Sequence, residues 1–322
     1  MPLSYPDKFS VTKAEAPATS ANFGPGFDVF AVALSSHRDS LTVTTADREG
    51  ITVEVSGLGS DTIPRDAMNN AAGAVAREIL RAHCIKKGLK IEVQKGIPTG
   101  VGLGSSAASS AAAALAVGAH LGLQLTAAEL IEYASFGELV CSGVAHKDNV
   151  SAAILGGFVL SGVFPGQEPI SLRMRPNYAI CIVTPQIALP DRKTAFLRSL
   201  LPRVVRLEEM VQSVGSAALV VAGLGLQRVD LIGAGMSNGI VDSIRGALID
   251  GFEDVKASAL AAGASGVCIS GAGPSILALV DSGRFSPQAV IRKMTDAFGS
   301  HEVSASGFVT NAGEGARIVG HE

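Results

Sequence analysis

PTGVGLGSSAASSAAAALAV spans Pro98–Val117. Glycine and serine fill its first half and alanine its second. No Asp, Glu, Lys or Arg occurs from Gly96 to Ala128. A flexible linker would be polar and would not run straight into helix-forming residues. The stretch reads instead as a loop that wraps an anion and opens a buried helix. Glycines let backbone N–H groups converge, and the helix presents its positive end to the same point. Ser105 and Ser106 add hydroxyls suited to phosphate or to a bound Mg²⁺. No Gly-Lys-Ser/Thr occurs anywhere, so the Walker signature is absent, and the spacing is not the GxGxxG dinucleotide fingerprint. The uncharged run is long enough to raise a membrane span. Alanine, glycine and serine contribute little transfer energy, however, and Pro98 and His120 interrupt it, so a buried helix is predicted.

The 322 residues exceed what one hydrophobic core usually serves, which predicts two domains in contact. Hydrophobic residues make up 47% and charged residues 17%, which supports a packed core and excludes global disorder. A net charge of −3 gives no basic footprint for nucleic acid. Cys84, Cys141, Cys181 and Cys268 form no CxxC pair and read as reduced thiols of a cytoplasmic protein. The N-terminus, MPLSYPDKFS, lacks the basic and apolar regions of a signal peptide.

Asp39–Ser56 carries two β-rich runs around Asp47-Arg48-Glu49-Gly50 and predicts a hairpin. Asn69–His83 has helical spacing, Lys90–Gln94 reads as a strand, and Thr126–Ser135 opens with a Thr126/Glu129 capping box. Gly157–Val163 and Tyr178–Thr184 read as strands, with a proline-rich boundary over Phe164–Pro176. Beyond it, Leu197–Leu226 and Ile240–Ile249 read as helices. Val267–Ile269 and Ile276–Val280 read as strands around a glycine-rich turn. Helix and strand alternate without a strict βαβ rhythm, so the fold class predicted is α+β.

Two more glycine-rich segments stand out. PATSANFGPGFD, Pro17–Asp28, sets Asn22 and Asp28 on either side of a tight turn. By itself it reads as an ordinary connection between strands. SGAGPSI, Ser270–Ile276, lies between two apolar strands, where a glycine turn brings backbone close to a neighbour or a ligand. A competing motif is Gly235-Met236-Ser237-Asn238-Gly239, which fits GxSxG. As a hydrolase elbow it would make Ser237 a nucleophile, with a later Asp and His301 or His321 completing a triad. That elbow needs a strand before it, and Leu231-Ile232 supplies too little.

The three glycine-rich segments, in this order and across nearly the whole chain, resemble the GHMP family of small-molecule kinases. Within that family PATSANFGPGFD resembles the opening motif of the homoserine kinases. So do ELVCSGVAHKDNVSAAILGGF, Glu138–Phe158, and TAFLRSLLP, Thr194–Pro202. Lys147 stands where that family often has proline, and Asp242-Ser243-Ile244 precedes Arg245 where it commonly has a proline–aromatic pair. The resemblance implies a GHMP fold with an N-terminal α/β domain like domain 2 of ribosomal protein S5, over residues 1–165. A ferredoxin-like C-terminal domain over residues 166–322 completes it, with ATP bound between the two. It also implies phosphorylation of the L-homoserine hydroxyl in threonine biosynthesis, with mevalonate or shikimate as alternative alcohols.

The resemblance assigns the nucleotide to Pro98, Thr99, Gly100, Val101, Gly102, Leu103, Gly104, Ser105, Ser106 and Ala107, and to Asn69. Ser106 and Glu138 would hold Mg²⁺, since a hydroxyl and a carboxylate are the hard oxygens it prefers. Homoserine carries an ammonium, a carboxylate and a hydroxyl. Asp28 with Asn22 suits the ammonium, and Arg198 with Arg245 the carboxylate, because arginine grips carboxylates bidentately. Thr194 and His146 complete the substrate set. Asp148 is either a general base or, with Asn149 beside it, a group that orients the substrate. The partners implied are ATP and homoserine, with no nucleic acid and no membrane, and a homodimer is allowed.

Overall fold

β1 (Val11–Asn22) and β2 (Gly26–Ala46) are long neighbouring antiparallel strands joined by the first glycine-rich segment. The computed structural model describes residues 10–145, 147–162, 164, 166–188, 193–237 and 239–321. β3 (Gly50–Gly57), α1 (Ala71–Ala82) and β4 (Gly88–Lys95) follow. The hairpin predicted over Asp39–Ser56 does not form. β4 inserts between the two runs, antiparallel to β2 and parallel to β3. Local alternation marks both strands, but a parallel partner needs a helical crossover, which α1 supplies. Asn70 starts α1 by accepting from the N–H groups of Ala72 (2.9 Å) and Gly73 (3.3 Å).

α2 (Ser105–His120) is the alanine-rich helix, nearly all of it buried. α3 (Ala127–Ser142) begins with the predicted capping box, Thr126 N–H donating to Glu129 Oε2 at 2.8 Å, and runs on to Gly143, whose φ of 78° ends it. α4 (Asp148–Leu155), β5 (Phe158–Leu160) and β6 (Ile170–Leu172) complete this half. β6 lies inside the proline-rich stretch read as a boundary, and β5 is shorter than predicted. The seven-stranded sheet runs β11-β1-β2-β4-β3 with β5 and β6 beside β2, where β11 is Arg317–His321. The chain therefore leaves this sheet after Leu172 and returns to it at Arg317, rather than dividing cleanly at residue 165.

Between those points β7 (Tyr178–Pro185) leads into α5 (Lys193–Ser199), α6 (Leu207–Leu226), α7 (Val229–Met236), α8 (Ile240–Gly246) and α9 (Phe252–Ala261). β8 (Ala264–Ile269), β9 (Ile276–Asp281), α10 (Pro287–Gly299) and β10 (Ala305–Thr310) close the unit. The helix read over Leu197–Leu226 is two helices, because Pro202 cannot continue the first. The four strands pair antiparallel in the order β10-β7-β9-β8, the βαββαβ arrangement of a ferredoxin-like domain. β7 serves both sides of this sheet. Ile180 and Ile182 enter the core shared with the first sheet, while Ala179, Cys181 and Val183 pack with Val255, Val290 and Phe298. The α+β reading holds, and the continuous core between the two sheets fixes the cleft between them.

Candidate active site

The three glycine-rich segments, distant in sequence, interlock at one point. Thr19 N–H donates to the Leu103 carbonyl at 3.0 Å, Gly271 N–H to Ala21 O at 3.1 Å, and Ser275 N–H to Val101 O at 3.2 Å. Ser270 Oγ lies 2.7 Å from Gly102 O and 2.8 Å from Ser20 Oγ. Gly102, at φ 87°, has no room for a side chain: a Cβ there would stand 2.2 Å from the Ser270 carbonyl. The first segment, which reads by itself as a simple connection, is the strut that ties the loop before α2 to the second sheet.

Beside this junction opens a cleft of about 730 Å³. Asn22, Asp28, Asn69, Thr99, Gly100, Gly102, Leu103, Gly104, Ser105, Ser106, Glu138, Asp148, Asn149, Thr194, Arg198 and Arg245 all line it. Pro98, Val101 and Ala107 shape the loop from behind, and Ala107 is fully buried in the core. His146 lies outside the described residues.

At one end the loop delivers α2. Gly104 is its N-cap, at φ 62° and ψ 31°, and no side chain caps the helix. Its first N–H groups therefore face the cleft with the positive end of a 16-residue helix behind them. Beneath the loop is a buried ion pair that the sequence reading missed. Lys95 Nζ bonds Asp39 Oδ2, Ser109 Oγ (2.7 Å) and the Ser105 carbonyl (2.8 Å). Asp39 also accepts from Gly96 N–H (3.0 Å), Ile97 N–H (3.1 Å) and Ser109 Oγ (2.8 Å). Burial pulls the Lys95 ammonium below its usual range, against the upward pull of Asp39. The alternation of β2 and β4 signals the pair, since Asp39 shares the inward phase of Leu41 and Val43, and Lys95 that of Ile91 and Val93.

At the other end the turn between β1 and β2 holds Asn22 and Asp28 at positive φ, 72° and 59°. Phe23, fully buried, anchors it edge-on against Phe158 with centroids 5.1 Å apart. The Arg198 fork grips the Asp28 carboxylate, Nη1 to Oδ1 at 3.2 Å and Nη2 to Oδ2. That bond raises the Arg198 pKa above the ordinary value. Arg245 is 4% exposed and donates through Nη1 to the Gly271 carbonyl at 3.0 Å, which also accepts from Asn22 Nδ2 at 2.7 Å. Its Nε meets no hydrogen-bond partner among the described residues, and burial draws its pKa down. The Phe27 ring lies 5.0 Å from one guanidinium and 5.5 Å from the other.

Between the two ends stand Asp148 and Asn149, at the start of α4. Asp148 is buried, and its Oδ1 accepts the Asn149 N–H at 2.7 Å. Asn149 Oδ1 accepts from Thr19 Oγ1 at 2.7 Å, which joins it to the first segment. Glu138, on α3, is a buried carboxylate facing the same space as Ser106. Among the described residues no three His, Cys, Asp or Glu side chains cluster as a metal cage. Asn69 sits at the rim, its Nδ2 donating to Asp66 Oδ2 at 2.6 Å. The hydrolase alternative does not survive. A helix, α7, precedes Ser237 where an elbow needs a strand, and Ser237 Oγ is spent on the Gly233 carbonyl at 3.0 Å.

Family comparisons agree with this geometry. The GHMP kinases N terminal domain matches residues 69–157 and the GHMP kinases C terminal domain residues 220–300. A homoserine kinase of Halorubrum lacusprofundi is 39% identical over 304 residues, covering 94% of this chain and 98% of the relative. That of Haloquadratum walsbyi is 41% identical over 303 residues, with the same coverage of both chains. The crystal structure of homoserine kinase from Cytophaga hutchinsonii superposes with a TM-score of 0.89 at 33% identity, over 98% of this chain and 100% of that one. Mevalonate diphosphate decarboxylase from Staphylococcus aureus, at 17% identity and a TM-score of 0.70, shares the fold alone. With the loop, the cleft and near full-length relatives in agreement, the chain belongs to the GHMP kinase family.

Proposed function

We propose that this protein transfers the γ-phosphoryl group of ATP to the side-chain hydroxyl of L-homoserine, giving O-phospho-L-homoserine for threonine biosynthesis in the cytoplasm. The observation that carries this reading is the charge layout of the cleft. An anion-binding helix terminus lies at one end, and a carboxylate with two guanidiniums at the other. GHMP kinases use ATP, and the loop Gly100–Ala107 is placed to take its phosphates. Asp28 then receives the substrate ammonium. Arg198 and the buried Nε and Nη groups of Arg245 receive its carboxylate. A mevalonate or shikimate headgroup offers no ammonium, so either would leave Asp28 opposed to an uncharged group.

Ser106 and Glu138 fit Mg²⁺ in the manner this ion favours, with few protein oxygens and the remaining ligands from phosphates and water. Bound there, it supplies charge neutralisation to the phosphoryl group. The chain itself does the positioning. Thr19 fixes Asn149, and Asn149 with Asp148 orients the hydroxyl toward the phosphate end. Attack forms the new O–P bond as the bond to ADP breaks, and the hydroxyl proton passes to a phosphoryl oxygen. Phosphoryl transfer depends mostly on such alignment and charge stabilisation. ADP release measured with homoserine, mevalonate, shikimate and 4-hydroxybutyrate tests the reading. Homoserine should lead clearly, and a preference for an alcohol without an ammonium would displace it.

A further inference from the structure

Phe27 and Asp28 are neighbours in β2, yet both line the cleft. In a regular strand successive side chains point to opposite faces. The φ of 59° at Asp28 breaks that alternation. Gly26, just before them, leaves room for the Phe30 ring: a Cβ there would stand 2.1 Å from it. Phe30 in turn packs on Phe158, with ring centroids 5.3 Å apart, so the base of the turn is fixed in the core.

The half-buried Phe27 ring carries two cations. Arg198 Cζ lies over it at 5.0 Å from the centroid, and Arg245 Cζ at 5.5 Å. Two guanidiniums that converge on one carboxylate repel each other while that carboxylate is absent. Burial, and behind it the Arg198 charge, lower the Arg245 pKa, against the opposing pull of Asp242 and Asp28. An aromatic face carries negative potential, so one ring under both cations offsets their repulsion. It does so without consuming donors, since a guanidinium bonds carboxylates through its edge and stacks through its flat face. Asp28 grips Arg198 by that edge, which is the part a substrate carboxylate needs.

We propose that Phe27 is a positioning residue that keeps Arg198 and Arg245 aimed at one carboxylate while the substrate replaces Asp28 on Arg198. This rests on the reading that the two arginines take the homoserine carboxylate. The ring acts on the guanidinium faces and leaves their edges open. Its effect therefore falls on homoserine binding and not on the phosphate end of the cleft.

Replacing Phe27 in the full chain with mono-, di- and trifluorophenylalanine keeps the ring's shape and drains the negative potential from its face in steps. Homoserine KM should rise in that order, by about tenfold at the trifluoro ring, with ATP KM and kcat within about twofold of the parent. Phe27→Leu keeps an apolar side chain and removes the ring, and should raise homoserine KM by about tenfold or more. A ring that only fills space would give a flat fluorine series. That result, or an equal rise in ATP KM, would overturn the proposal. Arg245→Met checks the reading beneath it. An unchanged homoserine KM in that variant would overturn the reading and the proposal with it. A raised KM there beside a flat fluorine series would overturn the role of Phe27 alone.

Discussion

Arg198 and Asp28, 170 residues apart in sequence, hold each other through a two-pronged ion pair at the end of the cleft away from the start of α2. Each is about one-third exposed, 33% and 34%, so water screens the pair and it can be exchanged. On the proposed function a zwitterion would replace it charge for charge, its ammonium taking Asp28 and its carboxylate taking Arg198. A ligand with only a carboxylate would break the same pair and offer Asp28 no cation in exchange.

This exchange predicts an opposite response of two substrates to one substitution. Asp28→Asn should lower kcat/KM for homoserine by about tenfold or more, and raise it by about tenfold for 4-hydroxybutyrate, which lacks the ammonium. Steady-state kinetics with both alcohols decide it, and a parallel fall for both would contradict the exchange. Arg198→Lys keeps the charge and loses the fork, so homoserine turnover should fall there too.

The loop makes a second prediction. A Cβ on Gly104 would stand 1.9 Å from Thr19 Oγ1 and 3.1 Å from Asn149 Oδ1, at a φ of 62°. Gly104→Ala should therefore disturb both the N-terminus of α2 and the Thr19–Asn149 bond. ATP affinity measured by calorimetry should drop by about tenfold or more. Parental affinity would place the phosphates elsewhere.

Much of this cleft's lining was readable in the sequence, because its parts are written as contiguous motifs. Gly102, Gly104, Ser106 and the Glu138–Asn149 block each carry chemistry in residue type and local order. What was not readable depends on partners far away in the chain. β3 looks like the return strand of a hairpin, yet β4, reached through α1, pairs with it instead. Alternation shows that a strand has an inner face but not which strand lies beside it. Lys95 and Asp39 stood in the inward phase of their strands, a signal that a buried charge pair was present. The role of Thr19 needed the structure, since nothing in PATSANFGPGFD points to Asn149.

That buried pair gives a third prediction. Lys95→Met leaves Asp39 charged and without its ammonium partner under the phosphate loop. Stability should fall by about 3–5 kcal/mol, read as a lowered urea midpoint. The double variant Lys95→Met/Asp39→Leu removes both charges and should recover part of the loss. A single variant as stable as the parent would mean the pair is not what holds the loop.

A fourth concerns Asp242, buried, whose carboxylate accepts the Ile269 N–H at 3.0 Å. Burial pushes its pKa up to about 7, while the Ile269 N–H, Lys256 and Arg245 pull it down. The folded protein thus binds a proton that the unfolded chain releases near its ordinary carboxylate pKa. Its share of stability is full below the ordinary carboxylate pKa and is lost progressively as pH rises from there through about 7. Asp242→Asn removes that dependence. Melts at pH 5 and pH 8 should show the parent losing up to about 3 kcal/mol more than the variant across this range. An equal change in both would show that Asp242 ionises in the folded protein as it does in the unfolded chain.

The most direct test follows the phosphoryl group itself. Purified protein is mixed with homoserine, Mg²⁺ and ATP labelled in the γ-phosphoryl group, and the homoserine is analysed by mass spectrometry. The label should appear on the homoserine side-chain oxygen in step with ADP. Glu138→Gln should cut that turnover by about a hundredfold or more, because charge stabilisation worth several kcal/mol is lost while Asp28 and the two arginines still hold the substrate. ADP formed without labelled homoserine, or a Glu138→Gln variant with parental turnover at saturating Mg²⁺, would contradict the account.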